Sequence, residues 1–557
     1  MRLVVDSPAV QHVEHTWPEF ATDPRHLRLG LASDGISPYG VKSSSHSTWP
    51  MVLTNYSVPP WLASKKGFLL LTLIIPGPKK VKNFDVYLQP LVEELQQLWT
   101  GADDVYDGRT TRIGRDRWFT LKGIMLWTMH DYPGYTQISG FQTSGYAACS
   151  TCGPALPVAR SVHLSKQVYM QYFTFLPLDH PLRGTGLERN VEEPPQPLDM
   201  NWWAQRWADV EDGNIRIEDV GLKRWSIFNQ LPYWKDLLIH HLLDPMHIKA
   251  NVTKSLIKRI FGEKDGQPAR RACEEFGVHS EAWIHVTDGG VETLPPAPWV
   301  LNTQQRKILR ERISEIRFPT GFGSCLRKAF EKEGAKWPAS LKSHDYHILL
   351  QHVLPATLNG IGTQDLREAI YDLSALMRWV CSKEIPVAQI EAKQLFAVET
   401  LCKLEDTLPP DYFDSQIHLL VHLVREVSIC GPVHGRWMYW LERYMKDDVR
   451  QKARPEGSMV EGHRLREAMF LCSNILEQLH PQSVFMLRDR EDTHLTSLRL
   501  IGQGAKKRLS QTELVQAHTF VLYNSSVMTE WISVYDDEKQ SALIGNVNFI
   551  FVFFKRF

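Results

Sequence analysis

At 557 residues the chain is several times the usual domain length, and 43% hydrophobic with 23% charged residues is the make-up of a globular protein able to bury two or three cores. Lys plus Arg and Asp plus Glu both number 63, which excludes whole-molecule attraction to nucleic acid and leaves phosphate binding to local patches. Eight cysteines with a single close pair exclude a disulfide framework, and the apolar runs 67–75 and 547–554 are too short to span a bilayer. With no signal peptide pattern at Met1-Arg2-Leu3, a reducing intracellular compartment and no membrane association are expected.

From His26 to Asp34 the sequence alternates, with Leu27, Leu29 and Leu31 on one face, the mark of a half-buried strand. Runs from Trp49 to Val58 and from Phe68 to Ile75 are rich in large apolar and β-branched residues and bounded by Gly and Pro, so an antiparallel meander is expected. Asp85 to Leu98 carries apolar residues at three and four spacing and predicts a helix. Phe119 to Met129 is then one long apolar stretch ending at His130-Asp131-Tyr132-Pro133-Gly134. Three strands, a helix and a strand is the opening order of a ribonuclease-H-like sheet, in which the first and central strands each carry an acid at the carboxyl end. Asp34 and Asp131 fall at those ends. Either Asp also reads as the start of a turn, since its side chain bonds the local backbone well.

From about Pro154 to Pro410 the pattern is mostly helical. The stretches Glu192 to Pro197 and Gly289 to Pro298 read as linkers, and Leu237 to Ile257 as an amphipathic helix. A helix from Arg436 to Arg450 carries Glu442, another follows Gly457 from Val460 to Leu479, and the tail beyond His480 reads as irregular. No internal repeat is present. The expected organisation is 1–153 as the first part of the sheet core, 154–340 as a mainly helical insertion, 341–480 as a helical module and 481–557 as a tail.

Cys149-Ser-Thr-Cys152 is a knuckle whose two thiolates suit one tetrahedral zinc, although CxxC is also a redox motif. His418 and His422, four apart on a helical segment, could complete a Cys2His2 sphere; such a pair is also common on a surface or in a core. Glu442, among Trp437, Tyr439, Trp440 and Tyr444, reads either as a metal ligand or as a salt-bridged glutamate. Asp85, Glu93, Glu94 and Asp244, next to His247, compete with it. The basic cluster Arg306, Lys307, Arg310 and Arg312 is interleaved with Glu311 and Glu315, like a solvated helix face. The group from Lys446 to Arg454, beside Glu442, is the better phosphate candidate, and Lys506-Lys507-Arg508 is a short nuclear-import-like run.

Several blocks resemble the transposases of the CACTA (En/Spm) class of plant transposons: Arg25 to Gly35, Ile75 to Lys79 with Asp85 to Leu91, Leu126 to Asp131, Gly145 to Cys152, and Leu231 to Lys235 through Met246-His247-Ile248. Ser343 to His347 through Arg454 to Ser458 is similar to a later module of transposon-derived plant proteins. The resemblance implies a DDE transposase: an α/β, ribonuclease-H-like catalytic core interrupted by a large, mainly helical zinc-bearing insertion. Carried over residue by residue, the catalytic acids fall on Asp34, Asp131 and Glu442, and the ligands of a structural zinc on Cys149, Cys152, His418 and His422.

The implied activity is two-metal phosphoryl transfer with Mg²⁺ or Mn²⁺, cutting and joining DNA at transposon ends in the nucleus, with a homo-oligomer as a further expectation. The resemblance also admits a second class, a domesticated or decayed transposase-derived protein without nuclease activity, acting as a nuclear DNA- or protein-binding module. The short stretch ahead of Asp34, and a segment after Arg443 that is short by about one helical turn, point to that class.

Overall fold

In the computed structural model the described residues are 1–37, 47–77, 81–107, 117–184, 192–287, 289–319, 322, 326–330, 341–448 and 455–479, all within one compact unit, Met1–Gln482. The expected tail from 481, the run Lys506 to Arg508 and the residues 449–454 lie outside them. The fold is mixed α/β around a five-stranded mixed sheet. Its strands are β1 (Leu27–Ser33), β2 (Trp49–Asn55), β3 (Leu69–Ile75), β4 (Gly123–His130) and β5 (His241–Leu242), in the order β3-β2-β1-β4-β5. β1 to β3 form the antiparallel meander. β4 lies parallel to β1, and β5 parallel to β4.

β1 departs from the expected half-buried strand, because Arg28 and Ser33 are buried as well as Leu29 and Leu31. Its position between β2 and β4 leaves no edge in water, and Arg28 satisfies its charge through Glu14 at 2.5 Å and the Phe20 carbonyl at 2.6 Å. The long stretch from Phe119 divides in two at Lys122. Trp118–Leu121 pairs with Ala102–Tyr106 in a separate hairpin, and only Gly123–His130, buried along its whole length, enters the sheet.

The helices that matter for the site are α1 (Pro8–Thr16), α2 (Asp85–Thr100), α3 (Tyr132–Ser139), α4 (Pro245–Ile260), α5 (Gln364–Val380), α6 (Ile390–Glu405), α7 (Leu420–Cys430), α8 (Tyr439–Asp448) and α9 (Pro455–Leu479). The expected helix at 237–257 is shorter at its start, because Asp244 caps and Pro245 opens α4, a pairing that fixes a helix N-terminus. The segment expected as a linker around Gly289-Gly290 is the turn between two short strands, His285–Val286 and Glu292–Thr293.

One core lies on the sheet and joins Val10 and Val13 of α1 and Leu88, Leu91 and Leu95 of α2 to residues from far along the chain: Met438, Leu441 and Met445. Those three recur at three and four spacing, so α8 presses one apolar face onto the sheet. A second core gathers α4 to α7 and also takes in Cys149 and Cys152. Among the described residues no helix is long and apolar enough to cross a membrane.

Candidate functional site

Three parallel strands, β1, β4 and β5, run to the same edge of the sheet. Ser33 and His130 are register partners, so Asp34 and Asp131 are the next residues on adjacent strands. Two residues after β5 stands Asp244, the cap of α4. The apolar face of α8 brings Glu442 to this edge. One ligand atom each from Asp34, His247 and Glu442 lies within 4.8 Å of the others, all three residues being half-buried. His247 Nε2 stands 3.8 Å from Glu442 Oε1, while its Nδ1 meets Asp244 Oδ2 at 2.6 Å.

Asp131 adjoins this group and also has local work. Its Oδ1 accepts from the Gly134 amide at 2.8 Å, capping α3, so the turn reading and the placement at the acidic edge both hold. A Cβ at Gly134 would come within 2.7 Å of that Oδ1. Gly35 is needed for a similar reason, since a Cβ there would lie 2.6 Å from Trp49 Cζ2.

The field at this edge is strongly negative. Burial first, then the charge of Asp131, push the Asp34 carboxyl up to about 7; His247 opposes this, and Glu442 adds a smaller push than His247 takes away. Asp131 is likewise raised, mainly by burial, with Asp244 adding to it. His247 moves to about 9: burial opposes its charge, but the bond to Asp244 and the charges of Asp244, Asp34 and Asp131 outweigh it. The imidazolium is thus a cation held among carboxylates, in the environment that a divalent ion would seek. Carboxylate oxygens suit Mg²⁺ or Mn²⁺, and imidazole is tolerated better by Mn²⁺.

The second cluster is fully buried. Cys149, Cys152, His418 and His422 each place one ligand atom within 4.8 Å of the others. Cys152 Sγ lies 3.5 Å from His418 Nε2 and 3.2 Å from His422 Nε2, and the two Nε2 atoms are 3.0 Å apart. Bonds of about 2.0–2.3 Å to a tetrahedral zinc give donor separations of about 3.3–3.8 Å, close to these. Burial pushes the Cys149 thiol up, yet bonding from Cys152 and the fields of His422 and His418 hold it well below the ordinary range. The donor set and its spacing fit zinc. The helical pair arises across a joint, with His418 ending a short turn, Ser415–His418, and His422 in α7.

Asp34 and Glu442 come together, Asp131 stands beside them, and the four Cys and His residues converge. Of the competing acids, Asp85 is paired with Arg224 at 2.5 Å and Glu93 accepts from Gln89 at 3.0 Å. Asp244 lies at the edge itself. His247 was missed as a candidate ligand; its only signal was the sequence Asp-Pro-Met-His, which by itself marks a helix start. In the first basic cluster Lys307 pairs with Glu311 at 4.0 Å, Arg312 donates to the Thr357 and Asn359 carbonyls, and Arg310 lies over the Phe261 ring. Those residues serve packing and a solvated helix face.

Residues 1–203 match the family described as transposase family tnp2, and residues 380–491 match a domain of unknown function, DUF4218. The first match supports a transposase-related function, and the second is a C-terminal module of plant transposases. No curated protein matches. Asp34, Asp131, Cys149 and Cys152 lie in the first matched segment and His418, His422 and Glu442 in the second, so each cluster draws residues from both.

Proposed function

We propose that the chain is the catalytic core of a DDE-type transposase of the CACTA class, with a ribonuclease-H-like sheet and a zinc-bearing helical insertion, acting on DNA at transposon ends in the nucleus. The observation that carries this reading is the meeting of Asp34, from the end of β1, with Glu442, more than four hundred positions later, beside Asp131 from the end of β4. A packed helix needs no carboxylate to be brought to the acidic end of a sheet, where like charges cost stability; a cation-binding site does.

In this reading Asp34 and Glu442 hold a divalent cation, with His247 as a third donor after it gives up its proton, and Asp131 supplies its second oxygen on the neighbouring side. Magnesium or manganese, when bound, supplies Lewis-acid activation of a phosphodiester and of the attacking hydroxyl. The chain's own contribution is placement: β1 and β4 hold two carboxylates at fixed separation, and α8 sets the third. The Cys/His cluster, closed by four protein donors with no open position, has a structural role. It ties the segment after α3 to the start of α7, on the way to Glu442.

A second reading is a transposase-derived binding protein that keeps the fold but does not cut. The engagement of Asp131 Oδ1 by Gly134 favours it, since that bond leaves the oxygen one free lone pair and turns the side chain to a helix cap. The deciding experiment is Mg²⁺- or Mn²⁺-dependent nicking of a DNA oligonucleotide by the purified chain beside Asp131→Ala. Cutting by the parent and its loss in the variant supports the transposase core. Equal cutting by both removes the catalytic assignment, and DNA binding without cutting by either leaves the second reading.

A further inference from the structure

One carboxylate at the sheet edge makes more bonds than a helix cap requires. Asp244, 4% exposed, accepts from the Met246 amide at 3.1 Å and the His247 amide at 3.2 Å, the ordinary work of an N-cap. Its Oδ2 also receives His247 Nδ1 at 2.6 Å, and its Oδ1 receives the Met438 amide, 194 positions away, at 3.3 Å. A carboxylate offers about four lone-pair sites, and four donors fill them. Asp244 therefore has no site left for a cation, although it is the most buried acid at this edge.

What those bonds hold is informative. The Met438 carbonyl accepts the Glu442 amide at 3.0 Å, so the residue gripped by Asp244 anchors the turn of chain on which Glu442 sits. The other bond sets the ring of His247, whose far nitrogen faces Glu442. Just before Asp244, the Leu243 amide donates to Glu426 Oε2 at 2.8 Å. Glu426 lies one helical turn beyond His422 on α7 and is paired in full burial with Arg436.

We propose that Asp244 is a positioning residue of the acidic centre: one carboxylate fixes both the ring of His247 and the approach of Glu442 to the sheet, without itself holding the cation. The proposal rests on the reading that Asp34, His247 and Glu442 capture a divalent ion. Outer carboxylates that orient a ligating imidazole commonly change metal affinity by about 10–100-fold. In Asp244→Asn one oxygen becomes a donor group, so at most one of the two pairs of bonds survives.

The test uses the whole chain with Mn²⁺ as probe, its affinity read by titration calorimetry, and hydrogen exchange followed in peptides covering 436–445. Asp244→Asn is expected to weaken Mn²⁺ binding about tenfold or more and to speed exchange in that peptide, with zinc content and far-UV circular dichroism as in the parent. Asp244→Glu, which keeps the charge but displaces the carboxylate, gives the same two readouts should the Asn variant not fold. Mn²⁺ affinity within about twofold of the parent, with unchanged exchange, overturns the proposal. A parent that binds no Mn²⁺ removes the cation reading instead, and unchanged exchange in the variant then overturns the positioning role on its own.

Discussion

Replacing Asp34 by Asn removes a negative charge that the fold resists forming. Burial and the charges of Asp131 and Glu442 raise its carboxyl from the ordinary 3.8 to about 7, so between those values the folded chain binds more protons than the unfolded one. Stability contributed by the neutral form is present at low pH and is lost as pH rises through about 7. Each tenfold change in acidity is worth about 1.4 kcal/mol, which sets an upper limit of about 4 kcal/mol on the cost of ionised Asp34 above pH 7. Asp34 is only half-buried, and solvent screening discounts that limit to about 2–3 kcal/mol as the expected gain for Asp34→Asn at pH 8 without divalent cations. At roughly 2 cal/mol/K of unfolding entropy per residue, a unit of this size shifts by about 1 °C for each kcal/mol. Thermal unfolding in cation-free buffer should therefore place the variant about 2–3 °C above the parent at pH 8, the gap narrowing to about 1 °C at pH 5 and closing only below about pH 4. Millimolar Mn²⁺ should stabilise the parent alone, by mass action on the native state. A variant no more stable than the parent at pH 8, or a gap as large at about pH 4 as at pH 8, refutes the reasoning.

Three further outcomes are expected. Cys149→Ser or His422→Ala should lose zinc, measured by atomic emission, and lower the melting temperature sharply, because the remaining buried donors are left without a partner. Arg436→Met should destabilise by about 3–5 kcal/mol by stranding the Glu426 charge in full burial, while the double variant with Glu426→Gln recovers part of that in denaturant unfolding. Gly35→Ala should cost about 1–3 kcal/mol through its collision with Trp49 and weaken Mn²⁺ binding, as read by titration calorimetry.

Four strands of the sheet were legible because they are short apolar runs closed by Gly, Pro and Asp, and the acids at the ends of β1 and β4 follow from the same punctuation; β5, only His241–Leu242, lay hidden at the start of the expected helix 237–257. The depth of β1 was not, since alternation of Leu with Arg28 and Ser33 looks alike whether the polar residues face water or a buried partner; only the distant Glu14 and the Phe20 carbonyl decide it. The split at Lys122 escaped for a related reason: Lys122-Gly123 is its only mark, and a lone Gly inside an apolar run reads as a bulge as readily as a break. Cys149 and Cys152 announced themselves by spacing, as did His418 and His422, but their convergence depends on a second core that brings Cys152 to His418 and His422 across 266 and 270 positions. His247 was invisible as a candidate ligand because its facing group, Glu442, is remote in sequence, and the bonds that set Asp244 apart from the other acids of this edge come partly from an equally remote amide, that of Met438. Nothing local distinguishes a cap carboxylate that also receives a distant amide.

The measurement closest to the central claim is the location of bound manganese by anomalous scattering from crystals of the full chain soaked in Mn²⁺. One or two peaks among Asp34, Asp131, His247 and Glu442, absent in Asp34→Asn, are the predicted result. A soaked crystal with manganese elsewhere and none at this edge would contradict it.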